Sequence, residues 1–429
     1  MFRNMLNFGF CFLLLLMQLH GQDLSKRAFT LAEEIEDEMI AWRRHLHQYP
    51  ELSNREFKTS DFLAKHLMSI GLNMERNIAK TGIVAVLDTE KPGPIIGLRA
   101  DMDGLPVKER VDLPFASKAK GEYNGQEVDV MHACGHDAHM AILLATATVL
   151  QKMKKELKGK IVFIFQPAEE GAPEGEQGGA KLMVDEGIMT KYGIQVIYGL
   201  HISSITDVNT ILYKPMGIMA AVDMLKIKVK GKQVHGARPW GGVDPIVTSA
   251  QIILGLQTIV SRNVDITKEA AVVTIGKITS GVRNNIIPEE AEMVGTIRTL
   301  DVEMREVVHR RIFEIAEGIA TSAGAVAEVD IIPGYPITYN DPDLTAKMVP
   351  SLEKAAGQDN VRIMPAMTGA EDFSYYAKVV PGLFFFLGGK PKDVATLDAS
   401  QHHTPDFYLD ESGFVLGVKA FLQLVLDTN

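Results

Sequence analysis

Met131-His132-Ala133-Cys134-Gly135-His136-Asp137-Ala138-His139 sets a thiol, three imidazoles and a carboxylate within nine residues, then runs straight into an apolar segment over 141–150. Thiolate and neutral imidazole are the borderline-soft ligands of zinc and its neighbours. The chain holds only two cysteines and twelve histidines, so composition does not explain the cluster and metal binding does. Cys134 and His136, two apart, converge only where the chain is a loop or a helix start. His136 and His139, at i and i+3, share one face of a helix beginning near Gly135. Asp137 is placed to orient an imidazole or to bind directly. Spacing leaves the choice among the three histidines open.

A second concentration of chemistry follows the apolar run 161–165, where Gln166-Pro167-Ala168-Glu169-Glu170-Gly171 begins. Adjacent carboxylates just past a buried strand point in divergent directions, so one can bind metal while the other acts as base on a water. Alone, such a pair is ordinarily a solvated loop. Here two more apolar runs lead to imidazoles: 196–200 into His201, and 383–387, through a long loop, into His402-His403-Thr404-Pro405. The candidate ligands are then Cys134, His136, one of Glu169 or Glu170, His201, and one of His402 or His403. Five exceed the three that a single catalytic zinc takes from protein. Two divalent metal ions about 3.5 to 4 Å apart, sharing a ligand, fit that count.

The elements around these groups explain how they meet. Short apolar runs without alternation, at 95–98, 161–165, 196–200 and 383–387, separated by helical stretches such as 136–157, are the pattern of parallel strands buried on both faces. In open α/β sheets ligands sit beyond the carboxyl ends of such strands. Helices are expected at 31–48, acidic early and basic late, and at 56–70, ending at Gly71. The middle of the chain changes rhythm: Leu225-Lys226-Ile227-Lys228-Val229-Lys230 alternates as a strand with one wet face. Asp244-Pro245 opens a helix to about 262, strands follow near 271–278 and 291–299, and a helix capped by Asp301 and a strand near 326–332 complete β-α-β-β-α-β. The expected fold class is α/β: a mainly parallel-sheet catalytic domain with helices on both faces, over 22–215 and 334–429, with a ferredoxin-like α+β domain inserted at 216–333.

The chain has 429 residues, 46% of them hydrophobic, with a net charge of -10 and no basic run, which excludes nucleic acid and an anionic membrane surface as partners. Arg3, an apolar run over 8–17 and Gly21 read as a secretory signal over 1–21, too short to span a bilayer. Export is therefore expected, to the periplasm or outside. Cys11 leaves with that signal, so Cys134 is the only remaining thiol, consistent with a ligand and not with a disulfide.

These residues also carry a resemblance. Arg43-Arg44-His45-Leu46-His47 through Pro50-Glu51-Leu52, Arg99 to Pro106, Met131 to His139, Gln166 to Gly171, His235-Gly236-Ala237-Arg238-Pro239 with Asp244-Pro245-Ile246, Gly295-Thr296-Ile297-Arg298, Glu371-Asp372-Phe373 and His403-Thr404-Pro405 run in order along nearly the whole mature chain. Together they resemble the hippurate hydrolase and auxin-conjugate amidohydrolase branch of the aminoacylase and carboxypeptidase metallohydrolases. The resemblance implies a binuclear amidohydrolase, using zinc or manganese, that cleaves the amide of a small N-acyl amino acid and dimerises through its lid. By motif, Cys134, His136, Glu170, His201 and His403 are the implied ligands and Glu169 the general base. His235 is the implied oxyanion donor, acting across the dimer. Asn285 is implied near the substrate carboxylate, and Glu371 lines the site. A dipeptidase, a deacetylase of an N-acetyl diamino acid and an exported metal-dependent binding protein are the alternatives. The chain departs from the family pattern at 118–129, at 172–177 and at Val234, all of which bear on substrate size.

Overall fold

The structure is a computed structural model that describes residues 23–429, and the expected signal lies outside them. Among the described residues no helix is long and apolar enough to cross a membrane. The chain divides into two compact units. One holds the described chain up to Pro215 with Asn340–Met364 and Tyr375–Asn429; the other holds Met216–Tyr339 and Pro365–Ser374. The second unit thus takes 334–339 and 365–374, which the sequence reading gives to the sheet domain. Backbone bonding accounts for the latter segment: the Ala220 N–H donates to Met367 O at 3.1 Å and to Gly369 O at 2.8 Å.

The larger unit is built on an eight-stranded sheet, ordered Asn73–Ile78, Gly82–Asp88, Lys160–Gln166, Ile95–Asp101, Val196–Asp207, Gly382–Lys390, Ile211–Tyr213, Val361–Ile363. The four central strands are mutually parallel. Gly82–Asp88 and Ile211–Tyr213, on either side of them, run antiparallel. Every residue of Gly382–Lys390, and all but the first of Lys160–Gln166, is buried. Successive side chains point to opposite faces, so both faces of the sheet centre are covered. The helix His136–Lys152 is buried from His136 through Leu150, which is why its apolar residues show no amphipathic stripe. Gly135 caps it at φ +92°, and a Cβ there would collide with Ile202. Only glycine allows both that backbone and that approach. The segment 118–129 contains a hairpin, Lys120–Tyr123 with Gln126–Asp129, turned by Asn124 and Gly125, both at positive φ.

The smaller unit has four antiparallel strands ordered Ala271–Ser280, Glu290–Thr299, Ala221–Lys230, Val326–Pro333, with helices Pro245–Arg262 and Val302–Ser322 between them in sequence. This is the ferredoxin-like order. The alternation of Ala221–Lys230 buries Leu225, Ile227 and Val229 against Ile252, Leu256 and Ile312 while the lysines stay on the other face. Both helix starts follow from their first residues: Asp244 Oδ1 accepts from the N–H of Ile246 at 2.8 Å, and Asp301 Oδ1 from that of Met304 at 2.9 Å.

Candidate metal centre

The start of the helix His136–Lys152, the loop after Lys160–Gln166, the strand Val196–Asp207 and the loop after Gly382–Lys390 bring the predicted ligands together. Cys134 Sγ lies 3.4 Å from His201 Nε2 and 3.3 Å from His403 Nε2, and Glu170 Oε1 lies 3.1 Å from His403 Nε2. His136 Nε2 is 3.9 Å from a carboxylate oxygen of each of Glu169 and Glu170. Ligand atoms of Cys134, His136 and His201 lie within 4.8 Å of one another, as do those of Cys134, Glu170 and His403, and those of His136, Glu169 and Glu170. Cys134 belongs to two of these sets. His201 does not end its strand, as the sequence suggests, but sits within it, opposite Phe386.

Hydrogen bonds decide which histidines can offer a lone pair to the centre. His201 Nδ1 donates to the Ile202 carbonyl at 2.7 Å, which leaves Nε2 unprotonated toward Cys134. His139 has both nitrogens engaged, Nδ1 with Asp101 at 2.6 Å and Nε2 accepting the Ile202 N–H at 2.8 Å. It therefore braces the sheet and offers no lone pair. His402 Nε2 accepts the Ser204 N–H at 3.2 Å, so its proton sits on Nδ1, which faces the Cys134 sulfur at 3.6 Å. Burial and the imidazoles of His403, His139 and His136 push its pKa down to about 3. Among the described residues no backbone donor engages His403 Nε2, which faces Cys134 and Glu170. It stands at φ +60°, tied by its N–H to Ala133 O at 2.8 Å. A left-handed backbone at a β-carbon-bearing residue persists only where its surroundings impose it.

The charges around the cluster favour a cation. Burial lowers the pKa of His136, yet Asp101, Asp103 and Glu170 carry it up to about 10. Burial, Glu170 and Glu169 raise the Cys134 thiol well above its ordinary value, and burial with His139 and His402 holds His201 neutral. Among the described residues His136 Nε2 is buried without a hydrogen-bond partner. Soft and imidazole donors, a carboxylate and a local demand for positive charge together fit divalent metal.

Asp137 orients an imidazole, as the sequence allows, but it is that of His47 and not one of the cluster's. Its carboxylate turns away from the cluster to Arg43 Nε at 2.9 Å and His47 Nδ1 at 2.7 Å, with all three side chains buried. The Arg43 guanidinium and His47 outweigh burial and hold that carboxyl well below the usual range. The ion pair anchors the start of the helix that carries His136. Asp137→Ala removes the carboxylate that Arg43 and His47 share and leaves them only Glu411 and Glu109, at 3.2 and 3.1 Å, so a loss of about 3 kcal/mol in urea unfolding is expected. Sequence reasoning also gives no role to Asp101, Asp103 or Glu56, because nothing local shows what they touch.

His235 and Asn285 lie on the smaller unit, where Val234–His235 pairs with Ile286–Ile287 and the Gly236 N–H donates to Asn285 O at 2.8 Å. Both side chains are exposed. Glu371 belongs to the same unit, buried, its Oε1 accepting the Phe373 N–H at 2.8 Å. In the larger unit a cavity of about 450 Å³ opens beside Glu170, lined among others by Leu52, Tyr123 and Pro173. Two of the segments that depart from the family pattern, 118–129 and 172–177, supply part of its wall.

The sheet and the donor cluster beside its central strands are those of an α/β protein with a candidate metal centre. The chain belongs to peptidase family M20/M25/M40, whose model matches residues 97–427. It is 41% identical over 407 residues to an N-acetyl-L-cysteine deacetylase of Bacillus subtilis (strain 168), covering 93% of this chain and 91% of the relative. It is 39% identical over 406 residues to thermostable carboxypeptidase 1 of Saccharolobus solfataricus, covering 94% and 98%. A dinuclear metal-binding peptidase of the M20 family from Bacillus subtilis has the same fold, with a TM-score of 0.76 at 34% identity, covering 92% of this chain and 98% of that one.

Proposed function

We propose that the protein hydrolyses N-acyl amino acids at a binuclear centre held by Cys134, His136, Glu170, His201 and His403. The observation that carries this reading is that two donor sets overlap at Cys134, one of them holding Glu170 and His403, while Glu169 stands beside His136 in a set that lacks the thiol. Divalent ions there, zinc or manganese, would polarise the amide carbonyl and acidify a water. Glu169 takes the proton of the attacking water as the C–O bond forms, and returns it to the leaving nitrogen as the C–N bond breaks. A site that only binds has no use for that second carboxylate. The deacetylase and carboxypeptidase relatives support small acyl-amino acid and peptide substrates respectively. Release of free amino acid, assayed with and without chelator across acyl-amino acids and dipeptides, tests the reading. Turnover unaffected by full metal removal would sink it, and a preference for dipeptides would favour peptidase action.

His235 is assigned the oxyanion role on the resemblance. His235→Ala is expected to lower kcat about 10² to 10³-fold with metal content unchanged. In a homodimer, mixed with Glu169→Ala subunits, it should regain activity; verified heterodimers as inactive as their parents would rule out action across the dimer. The leader-like first residues support export, which fractionation of the producing cells checks.

A further inference from the structure

Glu169 and Glu170 are consecutive, yet their carboxylates serve different places, and the backbone between Pro167 and Gly171 must be held to keep them apart. Three successive N–H groups do this by pointing at two buried carboxylates. Those of Glu169 and Glu170 donate to Asp103 Oδ1 and Oδ2, each at 3.0 Å. That of Ala168 donates to Glu56 Oε1 at 2.9 Å. Ala168 itself is buried at φ +53°, a left-handed conformation that alanine avoids unless constrained. Glu56 has no exposed surface, sits at the start of the helix Phe57–Ser69, and takes a second bond at Oε2 from the Thr81 hydroxyl at 2.6 Å. Thr81 is buried too.

We infer that Glu56 is a positioning residue for Glu169, acting through the Ala168 N–H and held in turn by Thr81. The inference rests on the base role proposed for Glu169. Burial and the neighbouring Asp103 push the Glu56 carboxyl up to about 8, so an acid is kept here at a cost that packing alone does not explain. In either protonation state Oε1 accepts from Ala168. The requirement is an acceptor of this length, which glutamine also supplies.

The test is a double-mutant cycle on the metal-loaded enzyme. Glu56→Leu orphans the Ala168 N–H and frees the loop; because a misplacement of about 1 Å costs on the order of 10² in rate, kcat is expected to fall about 10²-fold with KM and metal content little changed. Glu56→Gln should stay within about threefold of the parent, since the acceptor survives. In the Glu169→Ala background Glu56→Leu should add less than about twofold, because its effect passes through the missing carboxylate. A general structural defect would instead multiply with Glu169→Ala, and that outcome overturns the inference. If Glu56→Leu is not recovered folded, Thr81→Val is read in the same cycle, with a fall of about fivefold that disappears without Glu169 as the supporting result and multiplication or no fall as the refuting one. Glu169→Ala alone reports on the base role: if it retains turnover, the reading beneath the inference fails, independently of what Glu56 does.

Discussion

Glu169→Ala is expected to keep its metal and lose about 10⁴-fold in kcat, the upper end of what a positioned acid and base contributes, because one carboxylate takes both proton transfers. The adjacent Glu170→Ala is expected to fail differently. Glu170 Oε1 stands 3.1 Å from His403 Nε2 and shares a donor set with Cys134, so its loss should empty part of the centre. Metal analysis beside single-turnover kinetics separates the two. If Glu170→Ala holds full metal while Glu169→Ala loses it, the assignments must be exchanged.

Cys134→Ser should be the most damaging change to metal content. Sγ lies within reach of both His201 and His403, and it is the donor that links the His201 set to the His403 set. Burial and two nearby carboxylates oppose an anionic sulfur here, so the thiolate depends on a cation to form. A serine hydroxyl in the same place stays protonated and binds a soft or borderline ion poorly. Metal content well below that of the parent and loss of turnover are expected. Full occupancy with normal turnover would mean that the cluster is not the centre.

The cavity beside Glu170 would bear on which substrates the proposed centre cleaves. Its wall includes the hairpin turned at Asn124-Gly125, and that dipeptide between short polar strands is a local signal that a hairpin forms. The loop opposite is fixed by Glu176, which accepts from Arg55 at 2.6 Å and from Asn54 at 3.0 Å. The sequence reading takes 118–129 only as a departure from the family pattern and does not use this signal. The tie from Glu176 back to residues more than a hundred positions earlier carries no such local signal.

Residue type and strand-end placement determine much of this protein by themselves. The capping aspartates Asp244 and Asp301, the alternation over Ala221–Lys230 and the unbroken apolar runs of the central strands are local properties, so they are legible without coordinates. So are the candidate donors, because thiol, imidazole and paired carboxylates are rare in such company. The tertiary structure decides which of them are available. His139 and His402 have the same side chain as His201 and His403, and differ only in which distant backbone N–H occupies a ring nitrogen. Asp137, beside His136 in sequence, is claimed by Arg43 and His47 from another helix. Asp103 and Glu56 gain their places under the Glu169 loop only when three separate segments meet. A side chain's chemistry is fixed by its own atoms, but its protonation, its free lone pairs and its direction are set by neighbours that the chain brings in from far away.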